Sequence, residues 1–305
     1  MKGLLSPMPR PLGAALGVAL DRLLGEPPAP VHPVALFGLA MGVTEQTIYR
    51  DERRAGTVHA AIGAALGIGA GALARSTALA TAVVVSGRGL ARAALEVSAA
   101  LAAGDEVRAR ELLPALVGRD PAGLDAAEIA RATVESVAEN TVDAVVAPAL
   151  WAALAGAPGA FGYRAVNTMD AMVGHRSPRY AHYGWASARL DDLANWVPAR
   201  CTAALVAMVR PGSAREVRRA VSTQAPAHPS PSAGVAEAAF AAALGIRLGG
   251  TNRYGERTEV RPPLGWGRGA QPGDIAPAVC LSRDVGAALA VVLGLAGAVQ
   301  LRRNR

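Results

Sequence analysis

The chain has 305 residues, 51% of them hydrophobic, with a mean hydropathy of +0.26 and a formal net charge of +7 carried by arginine, because Lys2 is the lone lysine. That excludes a P-loop lysine and, Lys2 aside, Schiff-base chemistry, so phosphate recognition falls to arginine, backbone N–H groups or a metal. There is no basic cluster with interleaved aromatics, which excludes nucleic acid as a partner, and Cys201 and Cys280 have no metal or CxxC spacing and read as packing residues.

Residues 11–24 are apolar except for Asp21 and Arg22. Lys2 and Arg10 precede this run and no small-residue cleavage site follows, so it reads as an uncleaved membrane segment. The stretch from Gly25 to Pro30 breaks it, and a second apolar run covers 31–43. Residues 57–85 exceed the ~20 needed to cross a bilayer and predict either one long tilted helix or a span joined to a second segment. Their glycines suit close helix packing in lipid. From 88 to 120 the chain is charged and helical.

A helix over 124–155 opens with Asp125 as N-cap and Glu128 three residues later, a capping-box pattern. Along it Glu135, Glu139 and Asp143 recur at i, i+4 and i+8, and such stacked acids repel by a few tenths of a kcal/mol per pair. Only Arg131 is placed to offset them. They form either a solvated face or the seat of a metal ion or basic substrate. An apolar run over 144–160 follows.

The segment 161–198 holds the densest polar chemistry: Asn167, Asp170, His175, Arg176, Arg179, Arg189, Asp191, Asp192 and Asn195 among aromatic rings that include Tyr183, Trp185 and Trp196. A helix over 164–173 stops at Gly174, and Ser177-Pro178 makes a turn. A second helix over 187–197 ends at Pro198. Asp191 and Asp192 stand one turn before Asn195, an oxygen-rich set that suits Mg2+ bound with several waters. The alternative is an acidic helix edge paired with Arg189 or Arg200.

Residues 199–209 are apolar but short, as in a re-entrant or packed helix. The stretch 212–283 is polar and loop-rich, with HPSPSAG at 228–234 and GGTNRYG at 249–255, whose backbone amides can cradle a phosphate. The last apolar run, 285–301, ends in Arg302-Arg303-Asn304-Arg305, a cytoplasmic signature. The pattern predicts an all-α, multi-span integral membrane protein of one domain, 1–305, in the cell membrane. Its membrane-associated runs lie at 11–24, 31–43, 57–85, 144–160, 199–209 and 285–301, and its polar, site-bearing segments at 124–143, 161–198 and 212–283.

Taken together, ESVAENTVDAVVAPALWA (135–152), YRAVNTMDAMVGHR (163–176), GWASARLDDLANWVPAR (184–200), HPSPSAG, GGTNRYG and DRLLGEPPAPVHPV (21–34) resemble the CobD/CbiB family, the adenosylcobinamide-phosphate synthases of cobalamin biosynthesis. The family more often has Asp where Glu26 stands and Asn where Ser232 stands. The resemblance implies an amide-forming ligase that joins aminopropanol, or its phosphate, to a propionate carboxylate of cobyric acid, with ATP as co-substrate and Mg2+ as cofactor. Its partners would be those substrates, the lipid bilayer and other cobalamin-pathway enzymes.

On that reading Asp191, Asp192 and Asn195 bind the metal, with Glu135, Glu139 and Asp143 as the rival set. Arg176, Arg179, Arg189 and Arg253 are candidates for the phosphates, alongside Asn167, Asp170, Asn252 and Tyr254 as substrate contacts. His175 or His228 deprotonates the attacking ammonium, and Trp185 offers flat apolar area to the corrin ring. Two rival functions are an intramembrane Mg2+-dependent prenyl-diphosphate transferase and a non-catalytic corrinoid transport or assembly subunit.

Overall fold

The computed structural model describes residues 8–25, 32–175, 177–254 and 257–304, without the side chains of 253, 254 and 257. The first half of the chain runs α1 (Arg10–Leu24), α2 (Pro33–Ile48), α3 (Arg53–Leu73), α4 (Thr77–Val84), α5 (Gly87–Ala102), α6 (Glu106–Leu112) and α7 (Ala126–Thr141). There follow α8 (Ala147–Ala155), α9 (Ala157–Met169), α10 (Trp185–Val209), α11 (Ala214–Thr223), α12 (Ala233–Leu244), the strands β1 (Ile246–Tyr254), β2 (Arg257–Leu264) and β3 (Arg268–Gly269), and α13 (Ile275–Arg303). The protein is thus predominantly helical. Among the described residues three stretches, Arg53–Leu73, Thr77–Ala102 and Pro272–Arg303, are long and apolar enough to cross a bilayer.

The described chain forms two compact units. The first comprises Met1–Ser86, Asp143–Asn195 and Leu289–Arg305. Its spine is α3 against α9, and the sequence explains the close approach. Gly63, Gly67 and Gly71 recur every fourth residue on one face of α3. A Cβ at Gly67 would lie 2.5 Å from Ala165 Cβ, and one at Gly71 2.5 Å from the Ala157 carbonyl oxygen. This is small-residue packing of the kind membrane helices use. The 57–85 run is two helices, not one, with Ser76 capping α4 through its Oγ.

Pro198 does not end α10, which runs 25 residues from Trp185 to Val209. Proline lacks the N–H that would bond the carbonyl four residues back, Ala194. Trp151 Nε1 donates to that oxygen instead, at 3.1 Å, so the helix passes the proline with no orphaned acceptor there. The sequence reading missed this because the compensating donor lies 43 residues away.

The second unit comprises Gly87–Val142 and Trp196–Ala288. The capping box at the start of α7 is present: Glu128 N donates to Asp125 Oδ1 at 2.8 Å and Asp125 N to Glu128 Oε2 at 3.1 Å. The chief departure from an all-α, loop-rich expectation is a three-stranded sheet of order β2-β1-β3. β1 and β2 pair antiparallel, with an irregularity between Leu248 and Gly250. Gly249 has φ +86° there, and a Cβ would collide with the Pro262 carbonyl. The GGTN stretch is therefore a bulged strand rather than a loop. Cys201 is half-buried and Cys280 exposed, both free thiols, so Cys280 is not the packing residue expected.

Candidate functional site

Two polar constellations stand out, one in each unit. In the first, α9 supplies Tyr163 and Asn167, and the turn that continues it supplies Asp170, at i, i+4 and i+7 on one helical face. α10 supplies Asp191, Asp192 and Asn195. Asn167 Nδ2 donates to Asp191 Oδ1 at 3.3 Å, Asn195 Nδ2 to Asp191 Oδ2 at 3.0 Å, and Tyr163 OH to Asn195 Oδ1 at 2.8 Å. Asp191 is thus held by two amides, and Asn195 is fully buried with both ends of its side chain engaged. Asn195 orients Asp191.

Asp170 opens a π-helical turn, Asp170–Gly174, of the kind that often marks functional sites. A Cβ at Gly174 would overlap Asp170 Oδ1, so this residue is needed for room as well as for stopping the helix. Burial, then the charges of Asp191 and Asp192, push the Asp170 carboxyl up to about 7. Burial, then the charges of Asp143 and Asp191, push the Tyr163 phenol well above its ordinary range, which leaves it a hydrogen-bond donor. Arg189 Nη1 lies 3.7 Å from Asp192 Oδ2 in an exposed pair. Among the described residues no three His, Cys, Asp or Glu side chains converge tightly enough to enclose an ion by themselves. The oxygen-only donor set, with acids raising one another, fits a hard cation that retains waters. An apolar cavity of about 360 Å³ borders Tyr163, walled by Ile68, Trp151, Val166, Leu190 and Leu193.

The loop between α9 and α10 is tied to α2 and α3. Glu45 accepts from Arg179 Nη2 at 3.1 Å and from Tyr180 OH at 2.9 Å, and the Arg179 guanidinium lies 4.2 Å from the centroid of the Tyr49 ring. Arg179, a candidate phosphate ligand by sequence, is therefore occupied by Glu45 and two tyrosines. His175 is exposed and meets the Tyr180 ring edge-on at 4.9 Å. Trp185 is 41% exposed, with the Arg53 guanidinium 5.2 Å from its centroid. Arg176 and the side chains of Arg253 and Tyr254 lie outside the described residues.

In the second unit, Glu135 of α7 is buried between two guanidiniums. Arg119 Nη2 bonds its Oε2, Arg131 Nη1 lies 3.2 Å from Oε1, and the Gly249 N–H donates to Oε1 at 2.9 Å. The Gly249 amide, expected from the sequence to face a phosphate, is spent on this carboxylate. Asn252 Oδ1 accepts from Arg119 at 2.8 Å and from Arg131 at 3.0 Å. Burial would raise Glu135, but the Arg119 and Arg131 charges outweigh it and hold the carboxyl below its ordinary value. Positive charge that the sequence reading sought in a metal is supplied here by arginines, one of them 16 residues before Glu135. Glu139 meets Arg261 at 3.7 Å, while Asp143 lies in the π-helical turn Val142–Val146 of the first unit.

His228, in the HPSPSAG turn, is buried, with Nδ1 3.0 Å from the Ser230 carbonyl and Nε2 3.5 Å from Glu237 Oε1. Burial pushes its imidazole below the ordinary range. Sequence reasoning missed Glu45, Arg119 and Arg261 as partners. The signal available was a single acid in the mostly apolar α2, Arg119 near the end of a stretch read as charged and helical, and Arg261 in one read as loop-rich.

A family model described as "CobD/Cbib protein" matches residues 14–282. Among curated proteins, one called "Cobalamin biosynthesis protein CobD" from Mycobacterium tuberculosis (strain ATCC 25618 / H37Rv) is 49% identical over 296 residues, covering 93% of this chain and 94% of its own. Proteins of the same description from Chromobacterium violaceum and Geobacter metallireducens are each 42% identical, the first over 301 residues (93% and 95% of the two chains) and the second over 269 (81% and 84%). No solved structure matches.

Proposed function

This chain belongs to the CobD/CbiB family of cobalamin-biosynthesis proteins, and from that premise we propose that it is an amide-forming ligase. It joins aminopropanol, or aminopropanol phosphate, to a propionate carboxylate of cobyric acid at the expense of ATP. The protein is multi-pass in the cell membrane, on the strength of three long apolar stretches among the described residues. The observation that carries the reading is the α9–α10 cluster, where Asp170, Asp191 and Asp192 gather with two amides in the segment richest in polar chemistry.

A carboxylate does not condense unaided with an amine, because its oxygen leaves poorly. Transfer of the γ-phosphoryl group of ATP to the propionate makes an acyl phosphate, and the amine then displaces phosphate from the acyl carbon. Asp191 and Asp192, with waters completing the shell, would hold Mg2+, which when bound neutralises phosphate charge as it develops. Asn167 and Asn195 aim Asp191, and Tyr163 fixes Asn195 by donation. Arg189, beside Asp192, is the candidate phosphate contact from the described arginines. Arg164 joins it: one nitrogen donates to Asn167 Oδ1 at 3.3 Å, while its buried Nε has no partner among the described residues. The apolar cavity beside Tyr163 suits the hydrocarbon periphery of a corrin.

The test is isotopic. Cobyric acid labelled with 18O in the reacting carboxylate, turned over with ATP and the amine, is expected to pass one 18O to inorganic phosphate. Label appearing in AMP, or remaining wholly in the corrinoid product and water, contradicts the acyl-phosphate route.

A further inference from the structure

α11 carries a basic face that the reading above leaves without a role. Arg215, Arg218 and Arg219 stand at i, i+3 and i+4, so they share one side of the helix, and all three are exposed, while Val217 and Ala220 on the opposite side are buried. Nearby arginines are paired, Arg210 with Asp284 at 2.8 Å and Arg268 with Asp274 at 2.6 Å, but Arg215, Arg218 and Arg219 meet no carboxylate among the described residues. The helix itself gains nothing from this arrangement. Arg215 sits in the first turn, where a cation opposes the helix dipole, and its spacing from Arg218 and Arg219 brings like charges together. Glu216, in the same turn, falls to one side of that face.

The surroundings say where this face lies. The Arg219 guanidinium is 4.7 Å from the ring centroid of Trp266, a residue 49% exposed. The turn that carries Trp266 is fixed on both sides. Gly265 has φ +86° and its N–H donates at 2.8 Å to Oε1 of Gln224, at the end of α11, and a Cβ at Gly267 would overlap the Gly245 carbonyl oxygen. Six residues after Trp266 begins the stretch Pro272–Arg303, long and apolar enough to cross a bilayer. Arg268 grips Asp274 near the start of that stretch through two bonds, at 2.6 and 2.8 Å. α11 and Trp266 are therefore tied to the point where the chain enters the membrane. That is the level of the lipid headgroups, where tryptophan is favoured and arginine meets phosphate.

We propose that Arg215, Arg218 and Arg219, with Trp266 as their anchor, form a docking surface for the anionic phospholipid headgroups of the bilayer that α13 crosses. The proposal rests on the multi-pass reading. Each guanidinium offers paired N–H donors to phosphate oxygens, and the indole lays its apolar body against the upper acyl chains while its N–H stays in the wet layer. An arginine held at an anionic leaflet favours it about fivefold over a neutral one. An acidic protein would also meet the charges, but it would leave an exposed indole at membrane level without a reason. Lipid accounts for both.

The full-length protein is reconstituted in phosphatidylcholine bilayers that contain a minority of brominated phosphatidylglycerol or, in a parallel sample, brominated phosphatidylcholine. Trp266 emission is taken as the difference between wild type and Trp266→Phe. At low salt brominated phosphatidylglycerol is expected to associate beside Trp266 about fivefold more strongly than brominated phosphatidylcholine, and about 1 M NaCl to remove most of that preference. Arg215→Gln/Arg218→Gln, which leaves the Arg219–Trp266 contact in place, is expected to cut the preference to below about twofold, with quenching by brominated phosphatidylcholine unchanged. Equal quenching of wild type by the two lipids overturns the lipid assignment and gives the surface to an acidic protein partner. A preference that survives the double substitution overturns the arginines as its source, and no quenching by either lipid overturns Trp266 as the anchor. Alkaline carbonate extraction tests the multi-pass reading separately. If it strips the protein from membranes that reading fails, and quenching on added vesicles of the same compositions still decides the surface.

Discussion

Asp191→Ala is expected to lower kcat for amide formation about 10³-fold, the scale of losing a pre-organised electrostatic partner of the transferring phosphoryl group. The two amides from Asn167 and Asn195 aim both Asp191 oxygens, so the effect should exceed that of removing either amide alone. Asn195→Ala should cost roughly tenfold, because Asp191 remains and only its orientation is lost. The check is steady-state turnover at saturating ATP across a Mg2+ titration, with detergent-extracted protein shown to be folded. Asp191→Ala raises the Mg2+ needed for half-maximal rate if the acid holds the metal. A variant within threefold of wild type at every Mg2+ concentration would remove the α9–α10 cluster from the site.

The second large effect is on stability. Glu135→Ala leaves the Arg119 and Arg131 guanidiniums without their shared carboxylate and deprives the Gly249 N–H of its acceptor. Breaking one side of a buried ion pair costs about 3–5 kcal/mol. The sign of the pH dependence follows from Glu135 being held below its ordinary value of 4.5. A depressed carboxyl contributes stability that is present above that value and lost as pH falls through the lower folded one. The gap between wild type and Glu135→Ala should therefore be full at pH 7 and narrow in acid. Denaturant unfolding in micelles at both pH values measures it, and a loss below about 0.5 kcal/mol at pH 7 would show that the arginines find other partners.

How much of this was legible in the sequence depended on range. Features carried by neighbours a turn or two apart were readable: the Asp125–Glu128 capping box, the helix before Gly174, and the placement of Asn195 one turn after Asp191. The glycines of α3 also signalled the close packing seen against α9. What failed involved partners far along the chain. Pro198 reads as a helix end unless one knows that Trp151 serves the Ala194 carbonyl. Glu135 reads as an acid offset by Arg131 alone unless Arg119 and the bulged strand at Gly249 are brought to it. The hairpin itself was hidden because β1 and β2 are rich in glycine, arginine and proline, a composition that reads as loop.

The central claim is that this chain itself makes the amide bond. The most direct measurement is mass spectrometry of cobyric acid incubated with the purified full-length protein, Mg2+ and ATP, with aminopropanol and its phosphate in separate reactions and Asp191→Ala alongside. The account predicts a mass gain of one amine less one water with at least one of the two amines, absent without ATP and absent in the variant over the same time. No gain with either amine, from folded wild-type protein in lipid, would contradict direct catalysis and leave a transport or assembly role in its place.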